Sequence, residues 1–169
     1  RYGPDPSTHT RCTVGGMIGN NACGNRALGY GRSADNVAAL DLLTVSDERL
    51  QVGRDVTVDS ERLERLRALI GANLATVRTE FGRFGRQVSG YSLEHLLPEK
   101  GFDVGSFLAG TEGTLAVMLG ATVDLVRDAP IRHLVLLSYP TMAEAADHVP
   151  ALLQGEDPGF VATIRRNAE

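Results

Sequence analysis

The feature that most constrains this chain is the stretch from Cys12 to Asn36, which reads CTVGGMIGNNACGNRALGYGRSADN. It holds six glycines and four asparagines, and its first charged residue is Arg26. Glycine lets the main chain approach a neighbouring group closely, and asparagine supplies both amide donors and amide acceptors. The stretch therefore predicts either a loop that lies against a ligand or a tight turn, and these residues alone leave both open.

Composition excludes several classes of protein. The chain has 169 residues, of which 43% are hydrophobic, enough for a packed domain. Its net charge is −4 with both signs interspersed, which argues against a nucleic-acid partner. It has neither an apolar run long enough to span a bilayer nor a secretory signal. We expect a cytoplasmic protein in which Cys12 and Cys23 are reduced thiols.

The hydrophobic pattern predicts a mixed α+β fold. Residues 82–101 read as loop, with one or two helical turns at 92–98. We expect strands at 37–45, 49–53 (as a hairpin partner), 114–126 (interrupted at Gly120), 131–140 and 159–166. We expect helices at 15–22 (closed by Gly24), 59–81 (capped by Asp59 or Ser60 and broken near Gly71), 103–110 (capped by Asp103 and ended by Gly110) and after Thr141, which forms a capping box with Glu144.

A second glycine motif, GTEGT at 110–114, lies between the short helix and the long strand. It combines a tight turn with two threonine hydroxyls and one carboxylate. Both glycine motifs carry groups suited to a ligand rich in acceptors, such as a dinucleotide. Neither is specific, because the chain has no strand followed by G-x-G-x-x-G and no G-K-[ST] sequence.

Together, GPDPSTHTRCTVGGMIGNNACG and FLAGTEGTLAVMLGATVDLV resemble the FAD-linked oxidase family. This is the vanillyl-alcohol-oxidase-like group, which includes D-lactate, glycolate and D-2-hydroxyglutarate dehydrogenases. The resemblance covers residues 1 to about 127. It implies the second half of the family's FAD-binding domain at 1–128, with a mixed or antiparallel sheet and flanking helices. Residues 129–169 would then begin the substrate (cap) domain as an incomplete β-α-β unit.

The resemblance also implies which residues contact FAD. The segment from Pro4 to Thr13 would run along the cofactor, and Gly15 and Gly16 would let the main chain lie against it. Residues 19–22 would contact the isoalloxazine or ribityl part, and 112–117 the adenosine half. The full set is Pro4, Asp5, Pro6, Ser7, Thr13, Gly15, Gly16, Met17, Gly19, Asn20, Asn21, Ala22, Gly24, Glu112, Gly113, Thr114 and Val117.

The activity implied is oxidation of a D-2-hydroxy acid, with hydride transfer to flavin N5. The family's N-terminal FAD subdomain and most of its substrate domain have no counterpart here, so we expect an inactive fragment whose catalytic residues are unassigned. The form IGNNACGNRALGYGRSADNV is most similar to long bacterial members with a C-terminal iron–sulfur part, which implies a cluster outside this chain.

The resemblance leaves the electron acceptor open. It also leaves open a peripheral membrane association through an electron-transfer partner and a homo-oligomer. Two other functions stay open as well. One is a different oxidase of the same fold, such as an alcohol or sugar oxidase or an alkyl-glycerone-phosphate synthase. The other is a non-catalytic nucleotide-binding module.

Several residues have an ordinary interpretation beside a functional one. His9 is a candidate for covalent flavin attachment or a solvated turn residue. Tyr91 and Cys23 would approach the flavin or pack internally, and Arg26 and Arg32 would balance its charge or lie on the surface. We expect Leu63, Leu66 and Leu69 in the core, and no metal site among His95, His133 and His148.

Overall fold

The computed structural model describes residues 1–54, 56, 58–84, 90–127 and 135–154. The chain divides into two compact units, Arg1–Arg127 and Asp128–Glu169. Assignment of the two units to a cofactor domain and a cap domain stays a prediction.

The first unit contains an antiparallel sheet of three strands in the order β2-β1-β3. The strands are β1 (Val37–Leu43), β2 (Arg49–Gly53) and β3 (Val117–Val123). The predicted β1–β2 hairpin is confirmed, and its turn is closed by a 2.9 Å hydrogen bond from Thr44 N to Glu48 O. With its helices, the described part of the chain is α+β.

The third strand is shorter than the predicted 114–126 and is not interrupted at Gly120. Leu42 of β1 faces Met118, whereas the preceding Asp41 faces Gly120. Leu119 is therefore an extra residue, and β3 accommodates it as a β-bulge rather than a break.

The helices predicted at 15–22, 59–81 and 103–110 are shorter than predicted, the helix predicted after Thr141 is confirmed, and α2 was not predicted. The chain forms α1 (Val14–Gly19), α2 (Ala27–Tyr30), α3 (Glu61–Ala72), α4 (Leu74–Glu80), α5 (Val104–Leu108) and α6 (Met142–Gln154). The predicted turns at 92–98 are confirmed as two 3₁₀ segments, Leu93–Leu96 and Pro98–Lys100, and a third spans Ala34–Asn36. None of the helices in the described ranges has the length and apolarity that crossing a membrane requires.

The predicted helix 59–81 is two helices, which confirms the predicted break near Gly71 and places it at Asn73. The chain leaves the helix at Asn73, which has φ −123° and ψ 20°. Its side-chain amide donates to Leu69 O at 2.8 Å and so closes α3. Ser60, not Asp59, precedes the helix, but its hydroxyl donates to Glu48 Oε1 at 2.9 Å instead of capping it.

The core of the first unit joins the sheet to the helices. Leu40 and Leu42 of β1 and Val52 of β2 pack with residues of α1, α3, α4 and α5. From α3, Ile70 is buried and Leu63 and Leu66 are half-buried. The placement of Leu69 in the core was wrong, because its side chain is 59% exposed. Helical spacing places Leu69 at the edge of the apolar face that contains Leu66 and Ile70. The face that α3 buries is too narrow to include Leu69.

Helix α5 begins as predicted. Asp103 caps it, with Oδ1 accepting from Ser106 N at 2.9 Å. The helix ends at Leu108, and the chain reaches Gly110 two residues later with a φ of +89°. Ser106 Oγ donates to Ala34 O at 2.9 Å and joins α5 to the segment before β1.

In the second unit, the predicted capping box is confirmed. Thr141 Oγ1 accepts from Glu144 N at 3.2 Å and donates to Glu144 Oε1 at 3.0 Å. The predicted strand 131–140 was wrong over 135–140, which has no strand structure, since the described part of this unit holds no second strand to pair with. Residues 131–134 and the predicted strand 159–166 lie outside the described residues.

Candidate functional site

The two glycine motifs meet in the first unit. Gly110 N donates to Ile18 O at 2.9 Å, and Glu112 N donates to Gly19 O at 3.0 Å. The side chains also join, because Asn20 Nδ2 donates to Glu112 Oε1 at 3.0 Å. Backbone and side-chain bonds therefore fix the 110–114 loop against the C-terminal end of α1.

A cavity of about 410 Å³ lies where the motifs meet, and we call it the motif cavity. Its lining combines hydroxyl, amide and thiol groups with one carboxylate. The lining residues are Pro6, Ser7, Thr8, Asn20, Asn21, Ala22, Cys23, Gly110 and Glu112. Six of them belong to the predicted set of cofactor residues.

Asn21 fixes one wall of the motif cavity. Its side chain is buried, and Oδ1 accepts from Ala34 N at 2.9 Å. Its φ of +47° lies in the left-handed region, which asparagine tolerates better than most residues. Ser33 Oγ donates to Ala22 O at 2.9 Å, so the loop after α1 is anchored to the segment before β1.

Backbone strain gathers around the motif cavity. In the described ranges, five residues other than glycine have a positive φ. Three of them are Asp5 (+42°), Asn21 (+47°) and Glu112 (+52°), which line the motif cavity or adjoin it. Such conformations cost on the order of 1–3 kcal/mol each and cluster at ligand sites. Of the other two, Asp47 lies in the turn between β1 and β2, and Phe102 lies between the Pro98–Lys100 segment and α5.

Asp5, which adjoins the motif cavity, forms ion pairs with two arginines. Its Oδ1 lies 2.7 Å from Arg1 Nη2, and its Oδ2 lies 3.1 Å from Arg26 Nε. His9 Nδ1 is 3.8 Å from Oδ1. A second cavity of about 220 Å³ lies next to the motif cavity, and Pro6 lines both. It is lined by Arg1, Tyr2, Asp5, Pro6, His9 and Met17.

The glycines of α1 have no packing role within the described chain. A Cβ atom built on Gly15 or Gly19 meets nothing within 4 Å, and one on Gly16 meets only Thr13 Oγ1 at 3.2 Å. Thr13 caps this helix, accepting from Gly16 N at 3.0 Å. Each glycine costs about 1 kcal/mol relative to alanine inside a helix. No contact within the described residues explains Gly15 or Gly19.

Gly24 differs from these three glycines. A Cβ at Gly24 would lie 2.0 Å from Asp5 O. The glycine is needed so that the 22–25 segment can pack on the backbone of Asp5. It does not close α1 as predicted, because α1 ends at Gly19, with Asn20 at its C-cap.

The remaining predicted residues are more scattered. Thr114 Oγ1 is 2.9 Å from Tyr91 Oη, and Tyr91 packs edge-on against Phe107 with ring centroids 6.3 Å apart. Val117 opens β3 with its side chain 58% exposed. Pro4 and Met17 are buried, whereas Gly113 is exposed. None of these last four lines the motif cavity.

The predicted set omitted three residues that line the motif cavity, namely Thr8, Gly110 and Cys23, the last of which was expected either to approach the flavin or to pack internally. Thr8 follows Ser7, and Gly110 begins the GTEGT motif. The sequence did contain a signal for Thr8 and Gly110, because both lie within the two motifs. The resemblance also assigns Asn20 and Glu112 to different halves of FAD. Their side chains are hydrogen-bonded, so both would meet the same part of a ligand bound here.

Comparison with known proteins identifies the class of this site. The family model of the FAD binding domain matches residues 1–53. D-2-hydroxyglutarate dehydrogenase of Escherichia coli (strain K12) is 29% identical over 90% of this chain and 16% of its own length. D-lactate dehydrogenase of Archaeoglobus fulgidus is 30% identical over 88% of this chain and 24% of its own length.

Glycolate oxidase subunit GlcD of Escherichia coli (strain K12) is 25% identical over 85% of this chain and 21% of its own length. The chain thus spans between about a sixth and a quarter of the curated relatives it matches. The family-model match and these relatives support membership of the FAD-linked oxidase family, which its two motifs predicted.

Proposed function

We propose that this chain forms part of the FAD site of a longer flavin-dependent dehydrogenase that oxidises a D-2-hydroxy acid. The observation that carries the proposal is the meeting of the two motifs, which builds the motif cavity from segments 92 residues apart. The three relatives described above are named for D-2-hydroxyglutarate, D-lactate and glycolate. A 2-hydroxy acid is what these names have in common.

The described residues fit FAD in two respects. The outward faces of Gly15, Gly16 and Gly19 leave room for a flat group, which no neighbour in the described chain fills. The cavity lining offers the donors and acceptors that a nucleotide needs. When bound, FAD supplies an isoalloxazine ring whose N5 accepts a hydride from the substrate carbon.

The chain's own contribution would be to bind and orient the cofactor. The hydroxyls of Ser7 and Thr8 and the amide of Asn20 would donate to acceptor atoms of the ligand. Fixed amide donors also stabilise negative charge as it develops on a reduced flavin. Asn21 supports the wall that carries these groups, through its bond with Ala34 N.

The division of labour in the longer protein follows the resemblance. Residues 1–128 would belong to the FAD-binding domain, and 129–169 would begin the substrate domain. The base that takes the substrate's hydroxyl proton would come from outside this chain, as would an iron–sulfur cluster. On this proposal the 169-residue chain alone has no dehydrogenase activity.

The visible absorption spectrum of the full-length natural protein, purified without added cofactor, tests the proposal. We expect a flavin spectrum that D-lactate, D-2-hydroxyglutarate or glycolate bleaches under anaerobic conditions. L-lactate is the matched control and should bleach it far more slowly. A protein that stays colourless after FAD is added would contradict the proposal. A flavoprotein reduced by an alcohol or sugar, but by none of these acids, would contradict the substrate class alone.

A further inference from the structure

We infer that the end of the motif cavity formed by Asn20 and Glu112 receives a hydroxyl-bearing part of the ligand, a sugar or a polyol, and excludes its phosphate groups. The inference rests on the proposed function, because FAD carries both kinds of group. It names the part of the cofactor that this chain holds at that point.

The first argument is the charge of the lining. Glu112 is the one charged residue among the described residues that line the motif cavity. A carboxylate only accepts hydrogen bonds, and so does a fully ionised phosphate. A phosphate placed beside Glu112 would therefore meet like charge from a side chain that cannot donate to it, whereas a hydroxyl would donate to the Glu112 carboxylate.

The second argument is that Glu112 is held in place. Its backbone N–H donates to Gly19 O at 3.0 Å, and its φ of +52° is in the left-handed region. Oε1 accepts from Asn20, and Oε2 accepts no hydrogen bond from the described residues. The carboxylate thus presents one occupied and one open oxygen, which suits a hydroxyl donor.

The third argument concerns the nearby cations. Arg1 and Arg26 both pair with Asp5, which lines the second cavity rather than the motif cavity. Within the described part of the chain, no arginine, lysine or histidine forms an ion pair with Glu112. Nothing described therefore neutralises this carboxylate and makes it compatible with a phosphate.

The direction in which one substitution changes the affinity for FAD tests the inference. In the full-length protein stripped of flavin, we expect Glu112→Gln to weaken FAD binding about fivefold to tenfold, since a charged acceptor binds a hydroxyl more strongly than a neutral one. Were a phosphate beside Glu112, the same change would relieve repulsion and tighten binding. Tighter binding, or no change, would overturn the inference. Glu61→Gln, an exposed change of equal charge on α3, is the matched control and should leave the affinity unchanged.

Analogues of FAD supply a test that needs no variant. We expect the wild-type protein to bind at least one analogue lacking a single ribityl or ribose hydroxyl several-fold more weakly than FAD. Glu112→Gln should then add little to that loss. Equal affinity for FAD and for every single-hydroxyl analogue would overturn the inference. If the wild-type protein binds no FAD, the proposed function fails instead, so the two failures are distinguishable.

Discussion

The glycines of α1 and the glycines packed inside the first unit differ in what a side chain would meet. A Cβ at Gly24 would lie 2.0 Å from Asp5 O, and one at Gly53 would lie 2.2 Å from Ala38 O. On α1, the same atom would meet nothing at Gly15 or Gly19. Contacts within the chain explain the packed glycines, whereas no contact in the described residues explains Gly15 and Gly19, where we propose that a ligand lies.

This difference separates stability from function. A helix of six residues with three glycines is intrinsically weak, at about 1 kcal/mol for each glycine. Bonds from other segments to its C-terminal end hold it in place, among them those from Gly110 and Glu112. The molecule thus has a helix of low intrinsic stability at the surface where we propose that a ligand lies, and such a loss of stability is common at functional sites.

The largest expected effect is on stability, at a packed glycine. We expect Gly24→Val to lower the free energy of unfolding by about 3 kcal/mol or more, because its Cβ overlaps the Asp5 carbonyl and the backbone must move. Chemical denaturation measures this. A loss below about 1 kcal/mol would show that the 22–25 segment does not pack on Asp5.

The next effect is on cofactor binding, at an open glycine. We expect Gly16→Val in the full-length protein to weaken FAD binding by tenfold or more, while the apoprotein loses much less stability than Gly24→Val does, since a Cβ here meets only Thr13 Oγ1 at 3.2 Å. The branched side chain would occupy the surface on which the ligand lies. Flavin content and titration of the apoprotein measure this.

Gly71→Val is the matched control, because Gly71 is also helical but lies on α3; a Cβ there meets nothing within 4 Å, and one at Gly16 meets only Thr13 Oγ1 at 3.2 Å. It should leave flavin content unchanged. Full flavin content in Gly16→Val, or equal losses in both variants, would remove the functional explanation for the glycines of α1.

A smaller effect of opposite sign is expected with alanine. Gly15→Ala should raise the free energy of unfolding of the apoprotein by up to about 1 kcal/mol, since the helix gains propensity and no contact is lost. We expect it to weaken FAD binding at the same time. Thermal denaturation of the apoprotein and flavin titration check the two parts. A variant that is destabilised would show that Gly15 packs within its own chain.

The smallest effect concerns a buried group away from the motif cavity. Burial lowers the pKa of His95, and the positive charge of Arg32 lowers it further. The carboxylates of Glu94, Asp35 and Asp103 raise this pKa but do not outweigh the lowering. The unfolded chain therefore takes up this proton first as the pH falls. Stability should be full above about pH 6.5 and decline below it, down to the folded pKa.

Denaturation at pH 7.5 and at pH 5.5 measures this decline, and His95→Gln should reduce it. A decline of equal size in wild type and His95→Gln would assign the pH dependence to other groups. Flavin affinity should not depend on His95, since this residue lies outside the motif cavity. His95 would then be a second example, besides Gly24, of a residue that affects stability and not flavin affinity.

Local structure was predictable where one segment determines it. The β1–β2 hairpin, the Asp103 cap and the Thr141 capping box all depend on neighbouring residues and were found in the sequence. The break in the helix 59–81 was also predicted, near Gly71, but its position at Asn73 was not, because it depends on a side-chain bond to Leu69 O that competes with helix continuation.

The site was predictable by resemblance more than by physics. The glycine and asparagine content indicated a ligand surface or a turn, and only the family motifs chose between them. The contact between Asn20 and Glu112 joins residues 92 apart, which no local pattern encodes. The packing reason for Gly24 was equally hidden, because it depends on Asp5 approaching from a distant segment.

A structure of the full-length protein with FAD bound would test the central claim most directly. The account predicts ligand atoms within about 4 Å of the α1 backbone at Gly15 or Gly16, and other ligand atoms in the motif cavity. FAD bound elsewhere, with the glycine face of α1 open or covered only by protein, would contradict it.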